Sequence, residues 1–149
     1  MGYDLYGTNA KSEKGDYFRN NVWWWRPLAE FVTDRCEVSS PDDWFHNSGH
    51  KVTAEEANQI SEILNGLLSH GAVATYEKEY TTRLAELPDD VCDICHGVGV
   101  RNDEVVRGTC NACLGKGTVR PWATNYPFSE ENVREFAEFC EQSGGFEIH

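Results

Sequence analysis

Cys92 and Cys95 form one CxxC pair, Cys110 and Cys113 form a second, and each pair runs on into a Gly-x-Gly step: Cys92-Asp93-Ile94-Cys95-His96-Gly97-Val98-Gly99 and Cys110-Asn111-Ala112-Cys113-Leu114-Gly115-Lys116-Gly117. A CxxC turn can aim two sulfurs at one ion about 2.3 Å away, and a second such turn closes a four-thiolate shell with no position left for water or substrate. The chemistry expected of Cys92, Cys95, Cys110 and Cys113 is therefore that of one structural zinc, which supports a fold and does not catalyse. The glycines after Cys95 and Cys113 suit backbone that must wrap closely around a sulfur. A redox couple or disulfides are the other chemistry open to these cysteines. Two matched pairs followed by glycines suit a metal better, and an acidic chain with no secretory leader suits a reducing compartment.

Two further groups of residues have types that could do work. The run Arg19-Asn20-Asn21-Val22-Trp23-Trp24-Trp25-Arg26 puts stacking faces, cations and amide donors side by side, a combination suited to a nucleobase, a nucleotide or a protein hot spot. Three consecutive tryptophans cannot share one side: an extended segment splits them two against one, and a helix fans them. The run is thus either a binding surface or a wedge between elements of the core, with Trp122 a further member of the cluster. Asp42, Asp43, His46 and His50 form the second group, in a loop around Trp44 and Asn47-Ser48-Gly49. They are candidates for a second metal or a catalytic base, although a loop does not fix the geometry that an i, i+4 histidine pair has on a helix. No phosphate-binding glycine loop, nucleophile elbow or HExxH motif is present.

The repeated CxxCxGxG motif resembles the cysteine-rich zinc region of DnaJ-type chaperones, with Cys92, Cys95, Cys110 and Cys113 at the ligand positions. The resemblance covers about residues 91 to 120. DnaJ-type proteins carry four such motifs and two zinc ions; this chain has two motifs and lacks the His-Pro-Asp of the J-domain, so co-chaperone activity is not implied. Most of the remainder is similar to a group of small uncharacterised phage and bacterial proteins. The shared features are a stretch like Phe18-Arg19-Asn20-Asn21-Val22-Trp23-Trp24-Trp25-Arg26-Pro27-Leu28 and an ending like Pro127-Phe128-Ser129 through Gly144-Gly145-Phe146. That resemblance implies a phage association and brings no established activity.

The chain has 149 residues and a formal net charge of −12. Residues 54–90 set two cations against eight carboxylates, and residues 122–149 set one against six, whereas the zinc segment carries Arg101, Arg107, Lys116 and Arg120 against Asp93, Asp103 and Glu104. Four thiolates and one divalent zinc take the total to about −14. Such a field opposes phosphate backbones, so general nucleic-acid binding is disfavoured, and the acidic surface reads either as a solvated face or as a decoy for a nucleic-acid-binding partner. No apolar run is long enough to span a membrane and Met1-Gly2-Tyr3-Asp4 opens no cationic leader or convincing myristoylation motif. The expected location is the cytoplasm.

These side chains need a frame. Length predicts a single compact domain over 1–149, with a zinc ribbon inserted at 91–121. Gly2–Gly7 and Gly145–His149 read as short strands that pair the two ends of the chain. Four helices are expected between them. The first runs from Pro27 to about Cys36, with proline in the first turn. The second is capped by Thr53 and Glu56 and buries Ala57, Ile60, Ile63, Leu64, Leu67 and Leu68. The third carries Tyr76, Tyr80, Leu84 and Leu87 before Pro88, and the fourth starts after Ser129 and ends at Gly144-Gly145. Cys36 and Cys140 fall on apolar stripes and read as core residues. The fold class is α+β. The function expected is that of a small non-enzymatic binding protein engaging a host protein or a nucleotide-like ligand. The alternatives are an enzyme acting on a nucleotide-like substrate through the His/Asp loop and an acidic nucleic-acid mimic. Oligomeric state is left open.

Overall fold

The computed structural model describes residues 1–149, with five α-helices and eight short strands in an α+β arrangement. Its contacts cluster into two compact units, one formed by Met1–Thr81 with Tyr126–His149 and a smaller one, Thr82–Asn125, which encloses the 91–121 segment.

The larger unit is organised by a four-stranded antiparallel sheet in the order β2-β1-β8-β3. Strand β1 (Gly2–Gly7) pairs with β2 (Tyr17–Asn21) on one side and with β8 (Phe146–Ile148) on the other, and β3 (His50–Val52) closes the far edge. The two ends of the chain therefore meet as expected, with Leu5 opposite Ile148. The sequence alternation sets the register: Tyr3, Leu5, Phe146 and Ile148 point inward and are buried, while Tyr6 and Glu147 point outward. Strand β2 and the four-residue helix α1 (Glu13–Asp16) were not legible, because Phe18-Arg19-Asn20-Asn21 has no apolar alternation to mark a strand.

Helix α2 spans Val22–Arg35, one and a half turns more than the expected start at Pro27. Asn21 makes the difference: its side-chain oxygen accepts from the backbone N–H of Trp23 and of Trp24, both at 3.1 Å, so the helix is capped six residues before the proline. Pro27 then sits inside the helix, where it removes one backbone hydrogen bond. Burial compensates. Trp25, Pro27, Leu28, Ala29, Phe31 and Val32 are all buried on the same helix. The Trp25 indole lies nearly parallel to Trp44, centroids 6.1 Å apart, and stacks on Tyr3 at 5.3 Å. Its Nε1–H donates to the carbonyl of Trp44 at 2.7 Å, which satisfies the one polar atom of the ring.

Helix α3 (Ala54–Ser69) starts where Thr53 Oγ1 accepts from the Glu56 N–H at 3.2 Å. The Glu56 carboxylate does not return the bond to Thr53; it accepts from the N–H and hydroxyl of Ser39 instead. Ala57, Ile60 and Leu64 are buried, but Ile63 is exposed and Leu67 and Leu68 are half-buried, so the stripe is narrower than expected. Helix α4 (Ala72–Glu86) buries Val73 and Tyr80. Helix α5 (Glu130–Ser143) is capped by Ser129, whose hydroxyl accepts from Asn132 N–H, and it ends at Gly144 in the left-handed region. It supplies Phe136 and Phe139, which pack on Phe18 and Phe146. Cys36 and Cys140 are buried. Burial pushes the Cys36 thiol up to about 11 against a lowering by Arg35, and burial with the neighbouring Cys36 pushes Cys140 well up, so both stay protonated core thiols.

This packing ranks substitutions. Trp25→Ala is expected to cost about 3–5 kcal/mol, as truncating a buried large aromatic does. Asn21→Ala should cost about 1 kcal/mol through the lost cap. Urea unfolding of the two variants checks the order, and a Trp25→Ala cost below that of Asn21→Ala would contradict it.

Candidate metal centre

The smaller unit is built twice from the same half. In the first half Gly97 N–H donates to the Cys92 carbonyl at 3.2 Å, Val98 N–H to the Cys95 carbonyl at 3.1 Å, and Gly99 N–H to Cys95 Sγ at 3.2 Å. In the second, Gly115 donates to Cys110 at 3.2 Å, Lys116 to Cys113 at 3.1 Å, and Gly117 to Cys113 Sγ at 3.2 Å. The two halves also exchange bonds, Cys92 N–H to the Gly117 carbonyl and Cys110 N–H to the Gly99 carbonyl, each 2.9 Å. Matching positions are 18 residues apart, as Cys95 and Cys113 are. Strands follow the same rule: β5 (Val100–Asn102) pairs with β6 (Arg107–Thr109) as β7 (Thr118–Val119) pairs with β4 (Asp90–Val91). His96 and Leu114, the equivalent non-glycine residues, both adopt φ 54°. The unit thus has a local two-fold relation with the cysteines around its axis.

The glycines hold the halves together at contact distance. A Cβ on Gly99 would lie 2.5 Å from the Gly115 carbonyl oxygen, and one on Gly117 would lie 2.4 Å from that of Gly97; both residues also have positive φ. Only glycine meets both demands.

The result is four buried sulfurs, all within 4.8 Å of one another. A tetrahedral zinc site with bonds of about 2.3 Å has ligand–ligand edges of about 3.8 Å, and Cys95 Sγ and Cys113 Sγ are 3.7 Å apart. The cluster can therefore hold a metal ion such as zinc. Two backbone N–H groups aimed at Sγ atoms favour the thiolate form that a metal requires. Burial raises the Cys113 thiol, but the N–H of Gly117 and the neighbouring Cys95 and Cys110 sulfurs outweigh it and bring it down to about 7. Cys92 goes the other way: the Cys95 N–H pulls it down, while burial and the hydrogen bonds with the Cys95 and Cys113 side chains leave it raised.

Around the centre, Asp103 ties the β5–β6 turn by accepting from the N–H groups of Val105 and Val106 and from Arg101. Arg120 closes the end of α4 by donating to the carbonyls of Leu84 and Leu87 and pairing with Asp89 at 2.6 Å.

The other candidate residues are used differently. Trp25 is a core residue, Trp23 and Trp24 are half-buried, and Trp23 packs on Tyr126 at 5.0 Å. Asn20 exchanges two amide hydrogen bonds with Asn132, Asn21 caps α2, and Arg19 pairs with Asp4 at 3.2 Å; Arg26 is exposed. Trp122 lies in the smaller unit and is exposed. Asp43 and His50 come together, with Asp43 Oδ2 3.7 Å from His50 Nδ1. His50 stands opposite Ile148 in β3 and faces inward, and its Nε2 is sealed from solvent with no hydrogen-bond partner. Asp42 and His46 are exposed. A cleft of about 410 Å³ in the larger unit is lined by Arg35, Cys36, Glu37, Gln59, Ile60, Glu62 and Ile63 and contains none of the four loop residues.

Sequence reasoning missed the exposed apolar side chains of the smaller unit, among them Val91, Ile94, Val98, Val100 and Leu114. The signal available was the 18-residue repeat, which shows the positions the frame leaves free. No protein-family model, curated protein or solved structure matches the chain.

Because thiolates bind the metal and protons compete for them, affinity should fall as pH drops below neutral. A chelator-competition titration across pH reads this directly; pH-independent affinity would show that the sulfurs are not the ligands. In the same assay Gly99→Ala and Gly117→Ala should each weaken binding by a similar factor of about tenfold or more, the usual effect of disturbing groups that orient a ligand.

Proposed function

We propose that this chain is a non-enzymatic interaction protein whose smaller unit is held by one structural zinc on Cys92, Cys95, Cys110 and Cys113. One observation carries the reading: the four cysteine sulfurs are buried within 4.8 Å of one another, while seven of the eleven exposed large apolar side chains belong to that same unit. A closed four-sulfur shell offers no position for an activated water. Apolar side chains gathered outside a metal-held frame are what a docking surface needs.

The partner we propose is a protein. The amides of Asn20 and Asn21 are engaged within the fold, and the inward-facing Nε2 of His50 cannot reach a solvent-borne substrate. This argues against a nucleotide-like ligand on that segment and against an enzyme based on Asp42, Asp43, His46 and His50. The resemblance to small phage and bacterial proteins supports a partner in a bacterial host. No helix is long and apolar enough to cross a membrane.

Affinity capture from bacterial lysate with zinc-loaded protein, followed by mass spectrometry, should recover a stoichiometric protein partner that is lost when the metal is stripped. Turnover of a nucleotide substrate that His50→Gln abolishes would overturn the reading. Anisotropy titration with random duplex DNA at physiological salt should show no appreciable binding, because a net charge of −12 opposes the counterion-release term.

A further inference from the structure

The two halves of the smaller unit share one backbone and differ in what they show to solvent. We infer that the first half, through Val91, Asp93, Ile94 and Val98, is a docking site for a basic segment of another protein that also carries apolar side chains. This rests on the reading of the chain as an interaction protein and names the chemistry of its partner.

The two-fold relation supplies an internal control. At an offset of 18 residues, Val91 corresponds to Thr109, Asp93 to Asn111, Ile94 to Ala112 and Val98 to Lys116. Lys116 N–H donates to the Cys113 carbonyl at 3.1 Å as Val98 N–H does to Cys95, and Thr109 pairs with Val100 as Val91 pairs with Thr118. The frame therefore accepts small or polar residues at all four places, and folding does not account for the valines and the isoleucine of the first half. Yet these are strongly exposed: Val91 61%, Ile94 55% and Val98 72%.

Val91 lies against the turn that the other two belong to. A Cβ on Gly97 would lie 3.3 Å from Val91 Cγ1, so the Val91 side chain leans over the turn that carries Val98, just as Thr109 leans over Gly115 in the other half. Ile94 lies in the same turn, between Cys92 and Cys95. Water-exposed apolar area of this kind gains free energy when covered.

Charge selects the occupant. Asp90 and Asp93 flank Val91 along the chain, both are exposed, and neither is in an ion pair; their counterparts are Gly108 and Asn111. The second half presents cations instead, Lys116 and, on the β5–β6 face with Val100, Arg107. The whole chain at −12 adds a long-range attraction for a basic partner and a repulsion for an acidic one. An apolar patch with an acidic rim in a negative field fits a segment that alternates apolar side chains with lysine or arginine.

Anisotropy titrations of the zinc-loaded full chain with three labelled synthetic peptides test this: alternating leucine–lysine, leucine–glutamate and serine–lysine. The leucine–lysine peptide should bind at least about tenfold more tightly than either of the others. Exchanging the first half's surface for that of the second, with Val91→Thr, Asp93→Asn, Ile94→Ala and Val98→Lys, should remove that preference while leaving metal content and melting temperature unchanged. Should the fourfold variant fail to fold, Ile94→Ala alone should weaken leucine–lysine binding several-fold. The reverse exchange, Thr109→Val, Asn111→Asp, Ala112→Ile and Lys116→Val, should raise the stoichiometry from one peptide per chain to two. Equal binding of the serine–lysine peptide, undiminished binding by the exchanged variant, or a wild-type chain that dimerises through this patch would each overturn the inference. Failure here with a captured host partner still in hand would leave the broader reading standing, whereas loss of every partner would remove both.

Discussion

Four sulfurs share one buried volume in the smaller unit, and everything else in that unit depends on how their charge is met. Its buried cluster consists of Cys92, Cys95, Cys110 and Cys113, with Val119 packed against them. No separate apolar core stands behind it. At roughly forty residues such a unit falls where metals or disulfides usually replace a core. A cation at the centre of the four sulfurs would turn mutual repulsion of thiolates into cohesion, and the paired N–H···S bonds from Gly99 and Gly117 favour the thiolate form of Cys95 and Cys113. The larger unit solves the same problem by other means, with Trp25, Trp44 and Phe136 at the centre of an aromatic core.

A frame held by its ligands releases its surface from folding duty. Each half of the smaller unit needs two cysteines and two glycines, and the intervening positions are free to vary. They do vary: Val91, Asp93, Ile94 and Val98 of one half stand where the other has Thr109, Asn111, Ala112 and Lys116, and His96 stands where the other has Leu114. In the larger unit the polar residues that look available in sequence are committed: Asn21 to the first turn of α2, Asn20 to Asn132, Arg19 to Asp4. The division of labour is therefore physical. One unit spends its polar groups on local structure, and the other leaves its side chains outside a cluster of four buried sulfurs.

What could be read from the sequence follows from how local each signal is. The CxxC pairs and their glycines were legible because ligand spacing and the glycine N–H···S bonds are set within eight residues. Thr53 and Ser129 were legible as caps for the same reason. Pro27 misled because its preference for a first turn competes with a cap at Asn21 and with burial of Trp25, and tertiary packing decided the outcome. The tryptophan triplet was ambiguous in sequence because helical fanning alone does not say which ring faces inward; the stack on Trp44 does. His50 looked like a loop residue because β3 is only three residues long and its pairing with β8 brings together positions nearly a hundred residues apart. The exposed valines of the zinc-ribbon half were invisible, since an apolar residue in sequence carries no mark of the side on which it will lie.

The central claim is a closed four-thiolate zinc centre at the meeting point of two equivalent half-sites. Zinc-edge X-ray absorption on the purified, metal-loaded protein tests it most directly. The account predicts a single shell of four sulfurs at about 2.3 Å, with no nitrogen or oxygen ligand and no second metal nearby. A mixed shell containing nitrogen or oxygen, a metal–metal vector, or a protein that folds fully with no metal bound would contradict it.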